Sequence, residues 1–299
     1  MATPPSRPRL SAAAKSVIAG SVAGMSSVVV CHPLDTLRTR LQTAPARFNG
    51  SLVACARQTL EREGARALYK GFLPPFFSQA VYKAVIFTTS SKLRNDVLPA
   101  SLGASSAAMV SGAVAGGLNA LLVAPVELVR NRLQVQYEHP RASRTYRGAA
   151  HCVAQVARQE GVLALWRGLP TTVLRDSLGL ACYFLGYDFA RARLRSVAAL
   201  RGHDSAVLLA AGAAGGVSFW AVALPFDTVK SLIQVDGTRG EYTGLVTGAS
   251  RLVREHGASH LFRGWQAAFS RGVPGAAITF WAFDRTTQLL EEREQRASA

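Results

Sequence analysis

Six apolar runs divide the chain, and they come in pairs. Residues 12–31 are apolar and small, about the 20 residues that a helix needs to cross a bilayer. Similar runs begin near Ser105 and Ser205, and each of the three ends in a proline motif. A second set covers about 72–91, 169–187 and 265–283. Within each pair lies a polar stretch with helical patterning: Ser51–Arg62, His151–Gln159 and Leu245–Glu255. The pattern predicts an all-α membrane protein with six transmembrane helices, paired in three repeats, and a short helix in each long loop.

The repeat is explicit in the residues. Pro33-Leu34-Asp35-Thr36-Leu37-Arg38 returns as Pro125-Val126-Glu127-Leu128-Val129-Arg130 and as Pro225-Phe226-Asp227-Thr228-Val229-Lys230, at spacings of 92 and 100 residues. A glutamine follows each proline by nine residues: Gln42, Gln134 and Gln234. A GxxxG precedes each: Gly20/Gly24, Gly112/Gly116 and Gly212/Gly216. Such small residues let helix backbones approach closely in lipid. Later come Phe48-Asn49-Gly50, Tyr146-Arg147-Gly148 and Tyr242-Thr243-Gly244, then Glu63-Gly64, Glu160-Gly161 and His256-Gly257. Tyr69-Lys70-Gly71, Trp166-Arg167-Gly168 and Phe262-Arg263-Gly264 close the unit. Three repeats are expected at 11–100, 104–197 and 204–291, within one integral membrane domain.

Charge sharpens this picture. Lys and Arg number 34 and the net charge is +16, yet only 17% of residues are charged and mean hydropathy is +0.15. The charge is therefore segregated into loops. Net basicity suits nucleic acid or an anionic membrane surface; six apolar runs exclude the first. From Arg38 to Lys70 and from Arg130 to Arg167 there are seven Lys/Arg each, and from Lys230 to Arg263 five. That bias places the long loops on the electrically negative side, with both termini opposite. Cys31, Cys55, Cys152 and Cys182 form no CxxC, so neither a metal site nor a disulfide framework is expected, and buried small hydrophobes are. Met1–Leu10 is basic and proline-rich without an apolar core, so no secretory signal is expected. No GxSxG, Walker loop or HExxH points to an enzyme.

A proline inside an apolar helix removes a hydrogen bond and kinks it. The acid two residues on and the base three beyond it admit two arrangements. They can pair within one helix, or cyclically between helices as Asp35–Arg130, Glu127–Lys230 and Asp227–Arg38. Charges at membrane depth are costly and normally paired, and the cyclic arrangement makes a closure that can part without unfolding. Inside the second set of spans, Arg175, Asp176 and Arg271 are further charges, each a functional-site hypothesis for that reason.

These motifs over residues 11–290 resemble the mitochondrial carrier family. The resemblance implies a six-helix bundle with threefold pseudosymmetry in the inner mitochondrial membrane, acting as a monomer by alternating access. It implies a matrix gate of Asp35, Arg38, Glu127, Arg130, Asp227 and Lys230, braced by Gln42, Gln134 and Gln234. It also implies cardiolipin phosphates cradled at the aromatic-[KR]-Gly and aromatic-x-Gly segments, in keeping with helix N-termini binding anions, and no cofactor. The family's second base is present as Arg40 and Arg132, but the third repeat has Leu232. At the opposite gate, Tyr187-Asp188-Phe189-Ala190-Arg191 is intact. The sixth helix has Phe283-Asp284 with Thr287 where a base is usual, and the second has Ser90-Ser91 with Arg94. Among Arg94, Asp188, Arg191 and Asp284, only Asp284–Arg94 is expected to pair there, giving a weak outer gate.

The family's contact positions fall on Ser78/Gln79, Arg175/Asp176 and Arg271/Gly272. Arginine suits carboxylate or phosphate, and an adjacent acid suits an amine. Arg175-Asp176, with His32-Pro33-Leu34-Asp35-Thr36 and Trp220 five residues before Pro225, resembles the carnitine/acylcarnitine and basic amino acid branch. The expected substrate is therefore a small carboxylate-bearing cationic or zwitterionic metabolite. Arg271 would take its carboxylate and Asp176 its ammonium, with Arg175 positioning Asp176. Trp220 and Tyr82 would sandwich the cation. Tyr82 stands where carriers of basic amino acids place a glutamate, and Lys83 would repel a second cation if it faces the cavity. A more anionic metabolite, or a non-transporting scaffold, are the other readings.

Overall fold

Each repeat proline sits inside a helix, not at its end. A computed structural model describes residues 12–99, 101–137, 145–197, 204–237 and 239–298; the basic stretch 1–10 lies outside them. The first of each pair of long helices is α1 (Ala12–Thr43), α4 (Ala104–Gln134) and α7 (Asp204–Asp236), with Pro33, Pro125 and Pro225 inside. The expectation that these spans end at the proline motif is thus corrected. They continue about ten residues beyond, carrying the acid, the bases and the glutamine onto one helical rod.

The continuation has a local cause. Proline leaves the carbonyl four residues earlier without its helical donor. In the first repeat the Tyr69 hydroxyl donates to the Val29 carbonyl at 3.3 Å. In the second the Trp166 indole N–H donates to the Leu121 carbonyl at 2.9 Å. In these two repeats the aromatic of the aromatic-basic-Gly motif thus caps the carbonyl that the proline frees. Phe262 stands at the third such position and has no donor.

The short loop helices are α2 (Leu52–Glu63), α5 (Ala149–Gln159) and α8 (Leu245–His256). The Ser51 hydroxyl accepts from the Ala54 N–H at 3.3 Å and caps α2. The second member of each pair is α3 (Leu73–Lys92), α6 (Leu169–Ser196), and α9 (Trp265–Ser270) with α10 (Gly272–Ser298). The last span was expected as one helix; it breaks at Arg271 because Pro274 cannot donate to the Ser270 carbonyl. By length and composition α1, α4 and α7 are apolar enough to cross a membrane; Lys83, Arg175, Asp176 and Arg271 interrupt their partners.

Around the bundle the order is α1, α3, α4, α6, α7, then α9 and α10, and back to α1. At the proline level α1, α4 and α7 also touch one another, which draws their lower halves to a common axis. Glycines set some of these approaches. A Cβ on Gly116 would lie 2.6 Å from the Asp176 carbonyl of α6, and one on Gly24 would lie 2.9 Å from the Gln79 side chain of α3. In α7 the expected pair Gly212/Gly216 is only half used: a Cβ on Gly212 would lie 3.6 Å from the Phe280 ring, one on Gly215 would lie 2.9 Å from the Tyr183 carbonyl, and one on Gly216 would meet no atom of another helix within 4 Å.

Candidate functional site: a charge ring beneath a polar cavity

The six motif charges converge at the axis. Arg130 stands 3.9 Å from Asp35, Lys230 2.6 Å from Glu127 and Arg38 3.3 Å from Asp227. The same bases lie 3.5–3.6 Å from the acid three residues back on their own helices. The intrahelical and the cyclic arrangements therefore coexist, each base lying between two carboxylates. Lys230 and Asp227 are fully buried, where an unpaired charge would cost several kcal/mol.

The glutamines form a second ring. Gln42 donates to Asp227 at 2.9 Å, Gln134 to the Thr36 hydroxyl at 3.0 Å, and Gln234 accepts from Asn131 at 2.8 Å. Each joins one proline-bearing helix to the next. Gly71 shows why the aromatic-basic-Gly motif ends in glycine: its φ is +73° and a Cβ there would stand 2.9 Å from the Arg130 carbonyl.

A third layer lies under the glutamines. Arg40 holds Glu63 through two hydrogen bonds of 2.6 and 3.0 Å and donates to the Gln134 carbonyl at 3.1 Å. Arg132 repeats this with Glu160 and the Gln234 carbonyl. Burial opposes the charge on Glu63, but the bonds from Arg40 and Lys70 outweigh it and hold its carboxyl below the usual range. For Glu160 the Arg132 bond dominates, with the same direction. Folded-state pKa values below the unfolded ones mean that these locks contribute above about pH 4.5 and are lost as pH falls through the depressed values. Burial pushes the nearby Cys55 and Cys152 thiols up to about 11, so both behave as apolar packing groups.

The third repeat has neither partner, since Leu232 replaces the base and His256 the acid. The seam between repeats three and one is thus missing the lock that the other two possess. Installing it with Leu232→Arg and His256→Glu together is expected to add about 1–2 kcal/mol. That would read as a rise of about 3 °C in melting temperature; an unchanged or lower melting temperature would contradict it.

Above the ring opens a cavity lined by Gln79, Tyr82, Lys83, Asn119, Arg175, Asp176, Phe219 and Arg271, with Asp35, Glu127 and Arg130 at its floor. Trp220 of α7 and Tyr183 of α6 line it too. Arg175 reaches down to Glu127 and Asp227, each at 3.0 Å, and sideways to Asp176 at 2.6 Å. Arg271 reaches Asp35 at 2.8 Å. The two arginines expected to hold substrate are therefore bonded to the ring acids, and Asp176 is bonded to Arg175.

Other expected positions differ as well. The Trp220 face is covered by Arg38 at 4.4 Å, with Arg271 at 5.7 Å, so in this conformation the protein's own guanidinium occupies the place foreseen for a substrate cation. Ser78 gives its hydroxyl to the Pro74 carbonyl at 2.8 Å and does not line the cavity. The Tyr82 hydroxyl is buried beside the Ser78 hydroxyl. Asn119 was missed; its Oδ1 is buried and unpartnered, and a lone amide among Leu118, Ala120 and Leu121 was its signal.

At the opposite end Arg94 donates to the Ser111 hydroxyl at 3.0 Å and lies 5.4 Å from the Phe184 ring. Asp284 accepts from Gln288 at 2.7 Å. The expected Arg94–Asp284 pair is not made, and Asp188 and Arg191 make no ion pair among the described residues. Lys15 and Glu294 join α1 to α10 at 2.5 Å. The conformation is closed at the proline end, with the four outer charges apart.

A family model described as mitochondrial carrier protein matches residues 10–98, 104–197 and 203–294. The chain is 34% identical to mouse (Mus musculus) solute carrier family 25 member 48, over 91% of this chain and 94% of that protein. It is 32% identical to a mitochondrial carnitine/acylcarnitine carrier-like protein of Arabidopsis thaliana, over 92% and 98%. It is 34% identical to the mitochondrial basic amino acids transporter of Bos taurus, over 88% of each. Three matched repeats, coinciding with the three proline-bearing helix pairs, make this chain a member of the mitochondrial carrier family, whose proteins transport solutes.

Proposed function

We propose that the protein is an alternating-access antiporter of the inner mitochondrial membrane for a small metabolite carrying a carboxylate, of the carnitine/acylcarnitine or amino-acid type. The observation that carries this reading is the direct bonding of the cavity arginines to the ring. Arg271 and Arg175 hold Asp35, Glu127 and Asp227. A substrate carboxylate competes for those guanidinium groups, which bind carboxylates bidentately. Each guanidinium turned toward substrate leaves a ring acid less neutralised and weakens the inner closure. A ligand shifts such an equilibrium only through its preference for one state, and this exchange of partners is the preference. Asp176, released from Arg175, and the Tyr82 hydroxyl would face the cationic part of a zwitterion.

The ring then acts as the inner gate, the glutamines as its braces and Arg94 with Asp284 as the outer gate. The aromatic-[KR]-Gly and aromatic-x-Gly segments of neighbouring repeats flank one groove, lined by Tyr69, Lys70, Gly71, Tyr146, Arg147 and Gly148, which suits a cardiolipin phosphate. A membrane scaffold without transport is disfavoured because so many buried ions are costly to retain.

The deciding assay is uptake of labelled solute into vesicles carrying the purified protein, preloaded in turn with carnitine, lysine, ornithine, phosphate or nucleotide. Exchange with at least one of carnitine, lysine and ornithine supports the carrier reading. Stimulation by nucleotides alone would reject the substrate class.

A further inference from the structure

Lys83 is a cation inside a span that no carboxylate answers. It lines the cavity beside Arg175, Arg271 and Trp220, and among the described residues it has neither an ion pair nor a hydrogen bond. Its only close electrostatic neighbour is Arg271, of like sign. The other cavity cations are matched: Arg175 has three carboxylates, Arg271 has Asp35, and the ring bases have their acids. Around ring and cavity four carboxylates, Asp35, Glu127, Asp176 and Asp227, therefore face six cationic side chains. An unmatched charge at this depth is costly and marks a ligand path.

Position supports the same reading. Lys83 lies four residues beyond Gln79, one helical turn farther from the ring on the same face of α3. A solute entering from the outer end meets Lys83 before it reaches Arg271 and Arg175. Tyr82, its neighbour in the chain, lines the same cavity.

We propose that Lys83 is a substrate-binding and specificity-determining residue: with Arg271 it holds the anionic group of the solute and excludes solutes with a second cationic nitrogen. This rests on the carrier reading above and narrows it. Carnitine-like zwitterions and carboxylate anions are admitted; lysine, ornithine and arginine are rejected. A dibasic solute would bring a cation to a wall that already carries excess positive charge, where like charges face each other across little water.

Four vesicle preparations test it: wild type, Lys83→Arg, Lys83→Gln and Lys83→Glu, each offered L-carnitine, malonate, L-lysine and L-ornithine. Wild type and Lys83→Arg are expected to take up carnitine or malonate and to refuse lysine and ornithine. Lys83→Gln is expected to raise KM for the accepted solute at least tenfold. Lys83→Glu is expected to lose that solute and to gain lysine or ornithine uptake at least tenfold over wild type. A second readout is the melting temperature of solute-free protein, which Lys83→Gln should raise, because a binding group left unpaired in the empty cavity destabilises it. If Lys83→Gln and Lys83→Glu keep wild-type KM and selectivity while Arg271→Ala abolishes uptake, the role of Lys83 is overturned and the carrier site stands. Wild-type uptake of lysine or ornithine overturns it equally. If wild type transports none of the four probes, both readings fall.

Discussion

Replacing Arg175 by alanine is expected to reduce uptake by at least a hundredfold and to lower stability by about 3–5 kcal/mol, because it strips a buried network of its shared cation. Glu127, Asp227 and Asp176 all lie within 3.0 Å of that one guanidinium. Without it, Asp176 has no cation within ion-pair distance among the described residues, while Glu127 keeps Lys230 and Arg130 and Asp227 keeps Arg38 and Lys230. Arg175→Lys is expected to be nearly as inactive while restoring part of the stability. An ammonium is a point charge and cannot span carboxylates on α4, α6 and α7 from one stem. The paired measurements are exchange in vesicles and thermal unfolding in detergent. A Lys variant with more than a tenth of wild-type exchange would show that the fork geometry of Arg175 is not required.

The threefold plan was legible because it is periodic: a proline, an acid and a base at fixed spacing can be seen three times, and symmetry supplies their partners. What symmetry cannot supply was not legible. Arg175 and Arg271 stand at contact positions that the motifs reveal, but their attachment to the ring acids depends on how far two flexible stems reach down the axis. Trp220 was visible as a mid-span aromatic, yet its face is taken by Arg38 from another repeat, and no local pattern reports that. Lys83 was ambiguous because one helical step decides between lipid and cavity. The break at Arg271 was legible in principle: Gly272 and Pro274 disrupt the helix whether or not a substrate binds there. The asymmetries of the third repeat were each visible as single departures. Only the geometry shows that Leu232 and His256 are the two halves of one missing lock, and that Phe262 belongs to the same corner.

The ring is not electrically autonomous, and that sets the outcome of charge reversal. For an isolated ion pair, exchanging the two residues restores the attraction. Here Glu127 accepts from Lys230 at 2.6 Å but also faces Arg175 at 3.0 Å and Arg130 at 3.6 Å. Lys230 likewise faces Asp227 at 3.5 Å. In Glu127→Lys/Lys230→Glu the new lysine confronts two arginines and the new glutamate confronts Asp227. Each single variant is expected to lose about 3–5 kcal/mol. The double variant is expected to recover less than half of the summed loss and under a tenth of wild-type exchange. A coupling energy from the double-mutant cycle, read from unfolding of the four proteins, measures this directly. Recovery of most of the stability by the swap would mean that the three cyclic pairs act independently, and that Arg175 is a neighbour of the ring instead of a member of it.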